Sequence, residues 1–450
     1  MKVKQITTDN FGEMREFPVN PVYTKLTGAR TLTLDENPVN DEFLGFGVAI
    51  TGASCYNLSL MDKKDRRKIL ESIYGKNGLG LKVARITVAS SDYSKDIYTY
   101  DDAQNDLELK YFSVKRDEEY IIPVIKEILE INPDLFIFSS AWTPPAWMKT
   151  GNSIFGGYFL RKYVEAYSEY YLKFLMSYKE HGINISALTV QNEPDTCQIE
   201  RMPQCLFHPE LEVMVVKALS EKIKNAGLKT KIWMFDHCYN GWARVKWQYD
   251  NYPEIMDITN EIAFHYYNHT LNLTKHLFNA YPNLKWHFTE GGPRLYDHYD
   301  TDWCKWGSII IEALNYGCLS FTGWNLMLDH AGGPNVGPFF CGGFLTRNSV
   351  NGEISYSGQY RAYKHFSKYF EKGAKIYKGE IEDDGQPMFE YSKQWLPLLA
   401  CAVDTLDGKH IIEVVNQSTE TKAQLQYEYG GSNWYFELMP NSVSTIIFED

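Results

Sequence analysis

Two glutamates stand out because each directly follows an apolar run. One segment reads Leu188-Thr189-Val190-Gln191-Asn192-Glu193-Pro194 and the other Trp286-His287-Phe288-Thr289-Glu290-Gly291-Gly292. A carboxylate at the end of an apolar strand is costly to desolvate unless it has partners or a task. Either one alone reads as a solvated loop residue; two at matching strand ends do not. Two carboxylates facing one pocket can cleave an acetal: one protonates the departing oxygen and the other attacks the anomeric carbon. Glu193 and Glu290 are therefore the candidate catalytic pair. Cys197, Cys205 and His208 form a looser cluster whose spacing matches no standard zinc pattern, so loop packing is the reading there and no metal is expected.

The elements needed to position such a pair are legible as an alternation. Short β-rich runs fall at 44–50, 81–88, 135–140, 185–190, 231–235, 261–265, 285–289 and 318–324. Stretches with helical spacing lie between them, at 62–74, 117–131, 159–181, 209–226, 242–249, 271–280 and 301–316. Eight alternating units predict an α/β chain folded as a (β/α)8 TIM barrel rather than a doubly wound sheet. No glycine-rich dinucleotide fingerprint follows an early strand, which agrees. In such a barrel functional groups sit at the C-terminal ends of the strands, where both glutamates fall. Beyond about residue 372 the texture changes to strands at 375–381, 388–392, 396–403, 410–416, 423–429, 434–438 and 442–448, with turns such as Asp383-Asp384-Gly385 and no helix between them. That predicts an attached all-β antiparallel sandwich domain. Segments 22–25 and 30–34 have the same character and are expected to pair into it. The expected division is 1–35 as N-terminal sandwich strands, 36–371 as the barrel and 372–450 as the rest of the sandwich.

Composition narrows the partners. The formal net charge of −12, with Lys and Arg scattered, argues against a nucleic-acid or polyanionic ligand. Aromatic residues reach 15%, with 32 Tyr and 11 Trp, and such rings can hold the apolar faces of sugars as well as fill a core. The first residues, Met1-Lys2-Val3-Lys4-Gln5-Ile6, contain no apolar leader, and no run is long enough to span a bilayer. The eight cysteines lack a paired rhythm. Reduced thiols and a cytoplasmic location are therefore expected. The expected partner is a small glycoside, glycolipid or oligosaccharide; self-association is left open.

Several ordered motifs resemble glycoside hydrolase family 30, and within it the glucosylceramidase-like branch. They are Gly45-Phe46-Gly47, Arg85-Ile86-Thr87-Val88-Ala89-Ser90-Ser91-Asp92-Tyr93-Ser94, Tyr98-Thr99-Tyr100-Asp101-Asp102, Trp142-Thr143-Pro144-Pro145-Ala146-Trp147-Met148-Lys149-Thr150, Asn192-Glu193-Pro194, His265-Tyr266-Tyr267, Trp324-Asn325-Leu326 and Gly332-Gly333-Pro334-Asn335. The resemblance implies a retaining β-glycosidase that removes terminal β-D-glucosyl groups through a covalent glycosyl-enzyme, without a cofactor. It implies Glu193 as acid/base and Glu290 as nucleophile. Asn192 would bind the sugar 2-hydroxyl and Asp92 other ring hydroxyls. Trp142 and Trp324 would line the pocket, Asn335 would contact the sugar, and Tyr267 would donate to the nucleophile. Arg85 would point into the pocket floor and support Glu290 by its charge, with His265 nearby in a supporting role.

Three departures touch the outer pocket: Gly52 after Ile50-Thr51, Tyr266 between His265 and Tyr267, and Gly323 before Trp324 stand where the family usually has an acid, a Trp and an Asp. Trp147, Tyr93 and Tyr98 read as packing. The alternatives within the family are an endo-β-1,6-glucanase, a β-xylosidase or a β-fucosidase. The alternative of another class is a non-catalytic carbohydrate-binding protein on the same barrel.

Overall fold

The computed structural model describes residues 1–19, 28–196, 201–268, 271–382 and 398–449. The strand expected at 22–25, the strand expected at 388–392 and Cys197 lie outside the described residues. The chain divides into two compact units. One comprises Met1–Phe46, Tyr296–Leu319 and Tyr356–Asp450, and the other Gly47–Leu295 and Ser320–Ser355.

Eight parallel strands close into a barrel: β1 (Phe46–Ile50), β2 (Val83–Thr87), β3 (Phe136–Ser140), β4 (Ala187–Thr189), β5 (Lys231–Cys238), β6 (Glu261–His265), β7 (Lys285–Glu290) and β8 (Phe321–Asn325). The first two are buried at every position, as expected for strands covered on both faces. β1 pairs with β2 through Gly47↔Val83 to Ile50↔Ile86. A Cβ on Gly47 would lie 2.4 Å from the Val83 carbonyl oxygen, so only glycine lets these two strands approach.

The helices read from spacing are present, and side-chain caps start two of them, Lys63–Tyr74 and Pro209–Asn225. α1 (Gly52–Ser59), α2 (Lys63–Tyr74), α3 (Ile121–Ile131), α4 (Val164–Glu180), α5 (Pro209–Asn225), α6 (Trp242–Asn251), α7 (Lys275–Ala280), α8 (Trp303–Asn315) and α9 (Gly358–Phe366) follow in order. The Asp62 carboxylate accepts from the Lys64 N–H to start α2, and Pro209 opens α5, with Glu210 and Glu212 in its first turn and Lys222 and Lys224 in its last. α4 buries Tyr167, Tyr170, Tyr171, Phe174 and Tyr178 along one stripe, so part of the aromatic excess is barrel core. α1 and α9 lie outside the stretches read from spacing; they are only 8 and 9 residues long. Among the described residues no helix is long and apolar enough to cross a membrane.

The second unit is built on a nine-stranded sheet, ordered Ser432–Leu438, Ala423–Tyr429, Arg30–Leu34, Lys375–Ile381, Leu398–Asp404, His410–Asn416, Ser442–Glu449, Lys2–Asp9 and Gly12–Phe17. Trp434 and Phe436 lie six strand steps from Phe448, which at about 4.8 Å per step is roughly 29 Å along a flat sheet. Their ring centroids are nonetheless 5.8 and 6.2 Å from that of Phe448. The sheet therefore curls over itself and encloses a core of Leu32, Ile412, Val414, Leu425, Phe436 and Ile446. Its pairing is antiparallel with one exception. Arg30–Leu34 pairs antiparallel with Lys375–Ile381 but parallel with Ala423–Tyr429, because an N-terminal strand is inserted between two C-terminal ones. The Lys2–Asp9 strand escaped the hydrophobic pattern because Gln5, Thr7, Thr8 and Asp9 are buried polar residues. Their groups are paired instead, for example Thr7 with Ser444 at 2.8 Å.

Candidate active site

The C-terminal ends of the barrel strands converge on a cavity of about 260 Å³, whose wall includes Asp92, Trp142, Asn192, Glu193, Tyr267, Glu290 and Trp324. β4 ends just before Asn192 and Glu193, and backbone bonds from Asn192 N–H to the Ala141 carbonyl (2.7 Å) and from Glu193 N–H to the Asp236 carbonyl (2.9 Å) fix their directions. Glu193 has φ of 48°, a left-handed conformation unusual for a non-glycine residue and typical of functional sites. β7 ends in Glu290. An oxygen of Glu193, an oxygen of Glu290 and a ring nitrogen of His265 all lie within 4.8 Å of one another.

The two carboxylates have different surroundings. Glu290 accepts from the Tyr267 hydroxyl at 2.9 Å and forms a buried ion pair with Arg85. Arg85 also donates to Asn192 Oδ1 and to Asp236 Oδ2, both at 2.8 Å. Its guanidinium lies 4.8 and 5.4 Å from the ring centroids of Trp142 and Trp324, which stack on each other at 5.2 Å. Glu193 faces His265 Nδ1 at 3.1 Å on one oxygen and accepts from the Thr196 hydroxyl at 3.0 Å on the other. Burial pushes its carboxyl up, but the His265 hydrogen bond and the nearby His237 and His265 rings outweigh that and draw it down to about 2. Asp92 behaves oppositely: burial first, then the charges of Glu290 and Glu193, raise it to about 8. Its Oδ1 is buried without a hydrogen-bond partner, as suits a group that awaits a polar ligand.

The sequence reading missed the group that joins these parts. Asp236 lies on β5, where the ladder to β6 shifts register between Phe235 and His237. Phe235 and Asp236 take φ of 74° and 94° in that bulge. The bulge leaves Asp236 fully buried, accepting from Arg85, Ser140, Thr189, Thr289 and His265. Burial opposes its charge, but Arg85 first and His265 next hold it far below the ordinary carboxylate range. A signal was available, since Asp236 follows the apolar run Ile232-Trp233-Met234-Phe235 just as Glu193 and Glu290 follow theirs.

The other expected residues divide. Asp92, Trp142, Asn192, Tyr267, Trp324, Arg85 and His265 are brought together around the glutamates, as the contacts above show. Asn335 is not in the cavity wall. Its side-chain N–H groups donate to the Phe339 carbonyl and to the hydroxyl of Tyr93 at 3.4 Å, and its Oδ1 accepts from Gly337 N–H at 2.7 Å, so the amide braces its loop beside the wall. Tyr93, read as packing, lines the cavity, and its hydroxyl joins the Phe339 carbonyl (2.9 Å) to the Cys341 N–H (3.1 Å). Trp147 and Tyr98 do pack: the Trp147 indole donates to the Asp101 carbonyl and Tyr98 donates to buried Asp117. Thr196, His237, Arg294 and Phe339 line the wall without having been anticipated. At Gly52 a Cβ would sit 3.0 Å from Ser94 Oγ, so a larger side chain there must push Ser94 aside.

Glu193, His265 and Glu290 are close enough to be tested as metal ligands. Both ring nitrogens of His265 face carboxylate oxygens, at 3.1 Å to Glu193 and 3.0 Å to Asp236. With both nitrogens engaged the imidazole has no lone pair free for an ion. The arrangement fits proton handling better than ligation.

The family model described as the glycosyl hydrolase family 30 TIM-barrel domain matches residues 43–370. Lysosomal acid glucosylceramidase of Mus musculus is 27% identical over 438 residues, covering 91% of this chain and 82% of that protein. An endo-1,6-β-D-glucanase of Neurospora crassa is 27% identical over 368 residues, covering 77% of this chain and 75% of its own. A solved endo-β1,6-glucanase structure is similar over 100% of this chain and 99% of its own, with a TM-score of 0.85 and 26% identity.

Proposed function

The chain belongs to glycosyl hydrolase family 30, and from that premise we propose that it is a retaining β-glycosidase acting on terminal β-D-glucosyl groups, as glucosylceramidases do. That it is a glycoside hydrolase follows from the family and from the relatives. The observation that carries the retaining reading is the spacing of the pair: an oxygen of Glu193 lies within 4.8 Å of one of Glu290. Retention needs carboxyl groups about 5–5.5 Å apart, whereas inversion needs about 6.5–9.5 Å to admit a water.

In this reading the Glu290 carboxylate, aimed by Tyr267 and Arg85, attacks the anomeric carbon while Glu193 protonates the departing oxygen. A water then enters, Glu193 takes its proton, and the sugar leaves Glu290 with its original configuration. Asn192 is held through Oδ1 by Arg85, which leaves its amide N–H groups to donate to the sugar 2-hydroxyl. Trp142 and Trp324 offer apolar surface to the ring.

A second reading, an endo-β-1,6-glucanase, has comparable support. Relatives of that name match at the same identity, and one solved structure is similar over the whole chain. Turnover of a panel containing aryl β-glucosides, aryl β-galactosides and β-xylosides, glucosylceramide and a β-1,6-glucan separates the two. Release of glucose from glucosylceramide supports the first reading; oligosaccharides released from the glucan replace it by the second. No turnover of any of them leaves the carbohydrate-binding alternative.

Asp92 is the proposed reader of the sugar. A pocket built to hydrogen-bond a hydroxyl rejects a sugar that inverts it more sharply than an apolar wall can. Asp92→Ala is expected to lower kcat/KM on an aryl β-glucoside by about 10- to 100-fold, the worth of one or two hydrogen bonds. It should barely change any residual β-galactosidase activity. Unchanged glucoside turnover, or a wild type that prefers galactosides, removes Asp92 from that role.

A further inference from the structure

We propose that the proton delivered by Glu193 is stored on the Glu193–His265 pair, with His265 as a proton-holding positioning residue that acts only through Glu193. The inference rests on the retaining reading above and adds to it where the proton resides between turnovers.

Hydrogen-bond geometry is the first argument. His265 is fully buried, with Nδ1 at 3.1 Å from Glu193 Oε1 and Nε2 at 3.0 Å from Asp236 Oδ1. A neutral imidazole has only one N–H. If Nε2–H donates to Asp236, a bare Nδ1 lone pair would oppose a carboxylate oxygen unless one more proton lies in that link. That proton is either on Nδ1 or on Glu193, and in both cases the pair carries it.

Charge is the second argument. The carboxylates facing His265 come from three strand ends: Glu193 after β4, Asp236 on β5 and Glu290 on β7, the last with an oxygen 3.9 Å from Nε2. Arg85 from β2 is the cation that pairs with Asp236 and Glu290. His237 (6.1 Å between ring centroids), Tyr267 (6.2 Å) and Cys238, which lies opposite His265 in the ladder, are the other titratable neighbours. Burial lowers the His237 imidazolium, while the Glu193 carboxylate works against that. Two buried carboxylates, Asp236 and Glu290, and the half-buried Glu193 against one guanidinium favour a positive charge on His265. Burial works against the His265 imidazolium, but Glu290 and then Asp236 more than compensate and raise it to about 9.

The proton balance closes over one turnover. In the first half the stored proton passes through Glu193 to the departing oxygen. The C1–O bond breaks with its electron pair on that oxygen, and Glu290 bonds to C1. The pair is left as carboxylate and neutral imidazole. In the second half water attacks C1, the C1–Glu290 bond breaks with its electrons on Glu290, and the water's proton restores the pair.

The sign of the pH effect follows. Because the folded protein raises His265, the stored proton survives as pH rises through 6.5 and is lost only near 9. For a β-glucoside with a poor leaving group, the alkaline limb of kcat/KM should therefore lie near pH 9 in the wild type. In His265→Gln, which keeps an N–H donor but cannot store a proton, that limb should move acidward by about 2 pH units or more. An activated dinitrophenyl glucoside should show almost no such move. Asp236→Asn, which removes one countercharge from the imidazolium, should shift the limb the same way by a smaller amount. In the wild type, nitrogen-15 NMR at pH 7 should show both His265 nitrogens protonated. A limb that stays in place in His265→Gln, equal losses on both substrates, or a singly protonated His265 beside an ionised Glu193 would overturn the proposal. Anomeric inversion, by contrast, would defeat the retaining reading itself.

Discussion

Glu290→Gln is expected to lower kcat/KM by about 10⁴-fold or more on every glycoside the protein cleaves, because the covalent step disappears. The substitution preserves volume and leaves Tyr267 and Arg85 in place, so the loss reports on nucleophilicity. The amide keeps an acceptor oxygen for one of the two donors that now face a carboxylate oxygen each and turns its NH2 on the other. Improving the leaving group should not rescue the variant, since what is missing is the bond to C1. Steady-state rates on an activated and an unactivated aryl β-glucoside check this. A residual rate within about 100-fold of wild type on either substrate would exclude Glu290 as nucleophile.

The second large effect is a split. Glu193→Gln should cost about 10²–10⁴-fold in kcat/KM on substrates with poor leaving groups, the usual worth of a general acid. On a dinitrophenyl glucoside the first step needs little protonation and should be nearly unaffected. The second step then lacks its base, so the glycosyl-enzyme accumulates, with a burst of phenol and a fall in both kcat and KM. Mass spectrometry should find the sugar on Glu290. Equal losses on both substrates, or no burst, would mean that the acid lies elsewhere.

These expectations show which parts of the molecule the sequence makes legible. Glu193 and Glu290 could be read because each is a carboxylate at the end of an apolar parallel strand, and barrel topology sends all such ends to one face. Asp236 meets the same description, yet it was overlooked because β5 runs on through a bulge to Cys238 instead of stopping at Phe235. A bulge turns one side chain against the alternation, and no hydrophobic period announces it. Asn335 shows a related gap: a loop motif marks a residue without setting its side-chain direction, and this amide bonds Gly337 and Phe339 and meets the cavity wall through the Tyr93 hydroxyl. In the sheet, the Lys2–Asp9 strand was hidden because its buried positions are polar, satisfied by distant partners for Gln5 and Thr7 (Ser444 for Thr7) and by nearer ones such as Arg15 for Asp9. The parallel insertion of Arg30–Leu34 beside Ala423–Tyr429 depends on the same long-range pairing.

The account rests on direct attack by one of two closely spaced carboxylates, and stereochemistry reads that step without any mutation. Proton NMR of an aryl β-glucoside cleaved by the wild type, recorded before mutarotation, resolves the anomer of the sugar first released. Attack by Glu290 followed by attack of water inverts the anomeric carbon twice, so β-configured sugar should appear first and the α-anomer only later. Initial release of the α-anomer would mean a single displacement by water and would contradict the account.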